Sequence, residues 1–285
     1  MKKANSKEVE TAWCPGCGNF QILSAVKQAL IKLELQSYQI LFVSGIGQSS
    51  KLPHYLQCNL FNGLHGRSLP VATGAKIANH ELTVIVVGGD GDGYGEGGNH
   101  FIHSIRRNLD ITYIVHNNQI YGLTKGQASP TSNIGFITKT TPKGVYSQPL
   151  NPLVLAISLG ATFVARGFSA RIPHLINLII DAVKHKGFAI IDVLQPCVSF
   201  NYLNTYSWYN DRVYDIAEEK TYDPRNKIEA FKKALEWDDR IPIGIIYKVE
   251  KIPYERQISA FKLGPLVHQG HDPREIADLL EEFIP

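Results

Sequence analysis

The chain has 285 residues, 44% hydrophobic and 19% charged, the balance of a folded globular protein with room for one large α/β domain or two small ones. A formal net charge of +3 is too small to argue for nucleic acid and leaves at most a local basic patch for an acidic partner. Met1 to Thr11 is polar and lacks the apolar run of a secretion signal, and no stretch reaches the ~18 apolar residues of a membrane span. A cytoplasmic protein without membrane or nucleic-acid contacts is expected.

Helical periodicity runs from Asn19 to about Leu35, with Phe20, Leu23, Val26 or Lys27, and Leu30 on one stripe. Gln39–Ser44 reads as an apolar strand ending at Gly45-Ile46-Gly47. A small-residue helix over Pro70–Asn79 leads to a strand over Leu82–Val87, and a helix over Gly97–Asn108 leads to a strand over Ile111–His116. Then come a helix at Pro152–Leu159, a strand at Thr162–Ala165, a helix at Ile172–Lys186 and a strand at Phe188–Leu194. Strands that are apolar throughout and alternate with helices predict a parallel sheet covered on both faces. Residues 1–200 are expected to form that α/β domain and 201–285 a C-terminal extension packed on the core or on a partner chain. Within the extension 199–224 reads as irregular, Asp223-Pro224 opens a helix to about Trp237, Ile241–Val249 is a strand, and Asp272-Pro273 opens a last helix.

In parallel sheets, ligands bind beyond the carboxyl ends of the strands. That puts the loops Gly45–Lys51, Gly88–Gly98 and His116–Pro130 on one edge. The second loop reads Gly88-Gly89-Asp90-Gly91-Asp92-Gly93-Tyr94-Gly95-Glu96-Gly97-Gly98. Glycines let backbone amides approach a diphosphate, and a following helix N-terminus favours the anion. Gly93, Gly95 and Gly98 formally fit the dinucleotide fingerprint, but the next strand ends in His116-Asn117-Asn118, without the acid that fingerprint requires. A calcium loop lacks its closing Glu. Asp90 and Asn118, at consecutive strand ends, instead offer hard oxygen ligands for Mg²⁺ shared with phosphate oxygens.

The order Gly89-Asp90-Gly91, residues 92–116, then Asn117-Asn118 resembles the thiamine-diphosphate motif of the family that includes transketolase and pyruvate decarboxylase. That resemblance implies Asp90, Asn118 and the Ile120 carbonyl as Mg²⁺ ligands. It places Gly45, Ile46, Gly47, His65, Gly89, Gly91, Asp92, Tyr121, Gly122, Leu123 and Thr124 around the cofactor.

The cysteines are Cys14, Cys17, Cys58 and Cys197. Trp13-Cys14-Pro15-Gly16-Cys17-Gly18 is a C-x₂-C turn able to put two thiolates on one metal or cluster, whereas a thioredoxin-like motif would follow a strand. Alone, Cys58 and Cys197 fit plain burial better than ligation, and a total of four cysteines shifts that balance towards a Cys₄ cluster. The segments WCPGCGN, SGIGQSSKLPHY, LHGR, GGDGD, NNQIYGLTKGQ and QPC together resemble the β subunit of 2-oxoacid:ferredoxin oxidoreductases, over roughly residues 10–205, and most closely its 2-oxoglutarate branch.

The resemblance implies the diphosphate domain of a thiamine-diphosphate-binding fold, with thiamine diphosphate, Mg²⁺ and one [4Fe–4S] cluster. The activity implied is oxidative decarboxylation of a 2-oxoacid to acyl-CoA and CO₂, with electrons passing to ferredoxin. Many relatives carry a cluster-ligating cysteine at the fourth position of the Gly-Ile-Gly-x-Ser-Ser loop, where this chain has Gln48. The expected cluster set is therefore Cys14, Cys17, Cys58 and Cys197, against a labile or absent cluster with Cys58 merely buried.

Lys51, Lys125 and His65 are candidates for contact with substrate or diphosphate, Lys51 for a carboxylate of the oxoacid. The acid–base Glu that faces the pyrimidine ring is expected on a separate α subunit, within a second such domain, so the chain alone should be inactive. Competing readings are pyruvate or a branched-chain 2-oxoacid as substrate, a non-redox decarboxylase or transketolase half, and a non-enzymatic module that keeps the fold.

Overall fold

The computed structural model describes residues 10–270 and Leu280; the helix expected from Asp272-Pro273 lies outside the described residues. The strands are β1 (Ile40–Ser44), β2 (Asn59–Asn62), β3 (Thr83–Gly89), β4 (Ile111–Asn117), β5 (Ile120–Tyr121), β6 (Gln127–Ala128), β7 (Phe163–Phe168), β8 (Phe188–Leu194), β9 (Val213–Asp215) and β10 (Ile241–Lys248). Eight of them form one sheet in the order β2-β1-β3-β4-β8-β7-β10-β9, while β5 and β6 make a separate hairpin. Every pairing in the large sheet is parallel except β10 on β7.

The helices are α1 (Asn19–Lys32), α2 (Ser68–Ala78), α3 (Gly98–Arg107), α4 (Pro152–Ser158), α5 (Ile172–Lys184), α6 (Tyr206–Asn210) and α7 (Lys227–Leu235). Side chains alternate between the two faces of a strand, so a sheet covered on both sides needs apolar residues at every position. In β3, Ile85 and Val87 pack with α1 and α5, whereas Val84 and Val86 pack with α2, α3 and α4. The buried stripe of α1 is Ile22, Leu23, Val26, Ala29 and Leu30; Phe20, placed on that stripe by periodicity, is 36% exposed.

Three features depart from the sequence pattern. Strand β2 is absent from the sequence reading, because this sheet-edge strand is exposed at all four residues and its apolar pair, Leu60 and Phe61, is too short to read as a buried strand. The glycine-rich run is not an open loop: Gly91–Glu96 winds as a π-type turn directly after Asp90 and runs into α3. The segment after residue 200 supplies β9 and β10 to the main sheet, and α7 packs beside α4 in the same core as β3 and β4. Among the described residues, no helix is long and apolar enough to cross a membrane.

A candidate cofactor cleft at the carboxyl edge of the sheet

Strands β1, β3 and β4 end side by side, and their following loops enclose a small cleft of about 80 Å³. It is lined by Ile46, Gly47, Gln48 and Ser49 after β1, by His65, by Gly89 to Asp92, and by Asn118 and Ile120 to Thr124. Gly45 stands just behind the lining, and neither Lys51 nor Lys125 belongs to it. Lys51 lies within a 3₁₀ turn, Ser49–Tyr55, that begins at the cleft, and Lys125 is exposed at the tip of the β5–β6 hairpin.

Asp90 caps β3 and is 1% exposed. The hydroxyls of Ser129 and Thr131 donate to its Oδ2 at 2.6 and 2.7 Å, leaving Oδ1 without a hydroxyl partner. Burial raises its pKa to about 6; the two hydroxyls oppose that shift, and the nearby Asp192 charge adds to it. A desolvated carboxylate beside another carboxylate, with no cation acting on it, is an environment a divalent ion would relieve. Asn118 holds its carbamoyl oxygen in place by accepting the Ile120 amide at 3.1 Å, and Asn201 donates to the Asn118 backbone carbonyl at 3.0 Å.

Among the described residues no three His, Cys, Asp or Glu gather around one point. Mg²⁺ does not need such a cage, because it takes one or two carboxylates and completes its octahedron with carbonyls, water and phosphate oxygens. The hard oxygens of Asp90, Asn118 and Ile120 fit that donor set.

Asp92 faces away from the cleft's open side. Its Oδ1 accepts the amides of Ile46 at 2.9 Å and Gly66 at 2.8 Å, and His65 Nδ1 at 2.8 Å. One carboxylate thereby ties three loops together. Since that oxygen is already an acceptor for two backbone amides, the imidazole must donate through Nδ1, leaving Nε2 as an acceptor on the half-exposed ring. The close packing depends on glycine: a Cβ at Gly45 would lie 2.0 Å from the Asp92 carboxylate, and one at Gly91 would lie 2.3 Å from the Tyr121 ring. Tyr121 donates its hydroxyl to the Gly91 carbonyl at 3.3 Å, closing the cleft beside the hairpin.

Sequence reasoning missed Ser129 and Thr131, which hold Asp90, and Asp192 behind them; Asn117, read with Asn118 as a pair on the diphosphate, turns instead to Asp192 and Thr131. Ser129-Pro130-Thr131-Ser132 is a cluster of hydroxyls following the Asn-Asn strand end, and Asp192 is the lone charge in an otherwise apolar strand; both are visible signals.

The cysteines divide. Cys14 and Cys17 close a turn through a Cys17 amide to Cys14 carbonyl bond of 3.0 Å, and Gly18 donates to the Pro196 carbonyl at 3.4 Å, bringing the turn to the carboxyl end of β8 and to Cys197. Burial pushes the Cys17 thiol up to about 11, with the charges of Cys197 and Cys14 adding to it. Cys58 is pushed up to about 12 by burial alone. Its position follows from register: Asn59 pairs with Leu41, so Cys58 sits level with Ile40, at the amino end of the five-residue β1. The other three lie past the carboxyl ends, roughly 13 Å further along the strand direction. The expected four-thiol set is therefore corrected: the structure brings Cys14, Cys17 and Cys197 to one edge and leaves Cys58 at the other.

Comparison with known proteins agrees with this geometry. Residues 43–193 match the profile of the thiamine pyrophosphate enzyme C-terminal TPP-binding domain, and residues 197–263 match the C-terminal profile of the pyruvate ferredoxin oxidoreductase β subunit. The chain is similar to the 2-oxoacid:ferredoxin oxidoreductase subunit β of Saccharolobus solfataricus, 46% identical over 95% of each chain. It is 44% identical to the 2-oxoglutarate synthase subunit KorB of Archaeoglobus fulgidus, over 66% of this chain and 70% of that one. Among solved structures, it superposes with a TM-score of 0.90 and 38% identity on the 2-oxoglutarate:ferredoxin oxidoreductase from Magnetococcus marinus with 2-oxoglutarate, coenzyme A and succinyl-CoA bound, covering 96% of this chain and 94% of that one. A thiamine-pyrophosphate domain and this degree of identity over nearly the whole length lead to one assignment: the chain belongs to the β subunits of the 2-oxoacid:ferredoxin oxidoreductases, and so is one part of a multi-subunit enzyme.

Proposed function

We propose that Asp90, Asn118 and the Ile120 carbonyl hold Mg²⁺ and the diphosphate end of thiamine diphosphate. With an α subunit, the chain then converts 2-oxoglutarate and coenzyme A to succinyl-CoA and CO₂, passing electrons to ferredoxin. The observation that carries this reading is the buried, desolvated Asp90 carboxylate, which lines a glycine-rich cleft together with Asn118. When bound, the cofactor supplies the carbon nucleophile and electron sink of the decarboxylation. The chain's own residues orient and exclude. Asp92 fixes the loops, Tyr121 covers the Gly91 turn, and His65, with Nδ1–H on Asp92, would reach a diphosphate oxygen only as an imidazolium donating Nε2–H.

A cleft of about 80 Å³ is far below the roughly 300–1,000 Å³ that encloses a ligand of this size. We assign the pyrimidine end, with its acid–base Glu, to the α subunit, a reading that the small volume of this cleft supports.

Lys51, two residues beyond the cleft-lining Ser49, is assigned to the distal carboxylate of the oxoacid, and Lys125 to the same side of the cavity. The name of the Archaeoglobus relative and the ligands of the Magnetococcus structure support 2-oxoglutarate. The C-terminal profile, named for pyruvate ferredoxin oxidoreductase, favours pyruvate as the second reading.

We assign an iron–sulfur group to Cys14, Cys17 and Cys197, which share this edge of the sheet but, among the described residues, do not gather around one point without it. At this edge the described residues supply three thiols for it rather than four.

The test is anaerobic ferredoxin reduction by the co-expressed complex. 2-Oxoglutarate should exceed pyruvate in kcat/KM, and the isolated chain should be inactive. Lys51→Ala should raise KM for 2-oxoglutarate far more than for pyruvate. Activity from the chain alone, or equal effects of Lys51→Ala on both acids, contradicts the respective assignment.

A further inference from the structure

Strand β8 is buried along its whole length yet carries a carboxylate, Asp192, 2% exposed. Opposite it in the β7 register stands Arg166, also 2% exposed. An ion in the interior costs several kcal/mol unless its partners compensate, so each needs a reason to be there. A simple ion pair does not supply it. Arg166 spends its terminal nitrogens on the backbone carbonyls of Ala234, Glu236 and Pro242 and lies 5.5 Å from the centre of the Trp237 ring. Asp192 turns the other way.

Asp192 Oδ1 accepts the Tyr94 hydroxyl at 2.8 Å, and the Asn117 amide reaches both carboxylate oxygens at 3.1 and 3.2 Å. An amide that gives its NH₂ to a carboxylate must turn its carbonyl away, since the flipped orientation would set oxygen against oxygen. Asn117 Oδ1 accordingly lies 3.0 Å from Thr131 Oγ1, and that hydroxyl lies 2.7 Å from Asp90 Oδ2. The result is a continuous buried line from Asp192 through Asn117 and Thr131 to Asp90. Strand geometry makes it possible. Asp192, level with Val115, and Asn117 two residues further along β4 share the sheet face that packs against α3, while His116 between them points to α1 and meets Asn19 at 2.7 Å.

We propose that Asp192 is a positioning residue for the metal–diphosphate site: it locks the Asn117 amide, whose Oδ1 shares the single Thr131 hydroxyl proton with Asp90 Oδ2 and so fixes where that hydroxyl and the Asp90 carboxylate sit, leaving Asp90 Oδ1 aimed at the metal. This rests on the reading that Asp90 binds the metal. The rival role for Asp192 is counter-charge to Arg166, which would affect folding and leave metal affinity alone.

The experiment is Mn²⁺ titration, followed by electron paramagnetic resonance, of the co-expressed complex with thiamine diphosphate present and thermal midpoints recorded in parallel. Asp192→Asn should weaken Mn²⁺ binding by about tenfold, the effect expected when an outer partner of a ligand is lost. The exchanged pair, Asp192→Asn with Asn117→Asp, restores an amide facing a carboxylate and should return affinity to within about threefold of wild type. Wild-type affinity in Asp192→Asn, or no recovery in the exchanged pair, overturns the proposal. If Asp192→Asn does not fold, the exchanged pair decides alone: near-wild-type affinity supports the line and a tenfold loss overturns it. No Mn²⁺ binding by the wild-type complex would instead remove the metal-site reading, and this inference with it.

Discussion

Two proposed sites meet at the carboxyl edge of the sheet, and they are built differently. The oxygen site is assembled from consecutive strand ends, β3 and β4, whose spacing the ladder fixes, and a second layer of Ser129, Thr131 and Asn117 holds its key carboxylate. The thiol corner is assembled from a turn before α1 and the segment after β8, joined by the weak Gly18 to Pro196 contact and by Gln195 donating to the Cys17 sulfur at 3.5 Å. A site on adjacent strand ends is preorganised by the fold. One made from distant loops takes its final shape from what it binds.

Asp90→Asn breaks the first half of the comparison with the largest expected effect. Calorimetry on the assembled complex should show Mg²⁺-dependent cofactor affinity falling about a hundredfold. The metal-free chain should become more stable by about 1–3 kcal/mol, because a desolvated carboxylate is removed. A loss of affinity together with a loss of stability would show that Asp90 serves the fold rather than the metal.

Acid should act on the same group. With a pKa of about 6 in the folded chain, Asp90 is progressively protonated as pH falls, so Mg²⁺ affinity at pH 5 should be about tenfold below that at pH 7.5. The sign for metal-free stability is opposite. A raised carboxylate pKa stabilises the fold at pH values below the unfolded value of 3.8, and that contribution is lost as pH rises through about 6. In Asp90→Asn both trends should flatten.

Gly45→Ala tests whether Asp92 is a strut. The added Cβ would lie 2.0 Å from the carboxylate, so the loops must shift, costing about 1–3 kcal/mol in denaturant titration and weakening cofactor binding in step. Smallest of all should be Cys58→Ser, which should leave iron and sulfide content unchanged, whereas Cys17→Ser should abolish both. Iron lost equally from the two variants would return Cys58 to the cluster.

How much can be read from the chain follows the same division. Strands β3, β4 and β8 announce themselves as predominantly apolar runs because both faces are covered, and Asp90 and Asn118 follow from where those runs stop. Strand β2 is illegible because an exposed edge strand needs no apolar pattern. Counting thiols assigns Cys58 to the cluster, and only the register of β1 with β2 shows that it faces the wrong end of the sheet. The role of Asp92 depends on three loops meeting in space, which no local pattern encodes. Asp192 and Arg166 are visible as lone charges in buried strands, but their partners come from β4, the Gly91–Glu96 turn and the carbonyls near β10.

The most direct test of the account is the position of the metal itself. Crystals of the complex grown with thiamine diphosphate and Mn²⁺ should give an anomalous peak about 2.1 Å from Asp90 Oδ1 and from the Asn118 side-chain oxygen. A fully bound cofactor whose metal lies elsewhere, with Asp90 still bonded only to Ser129 and Thr131, would contradict it.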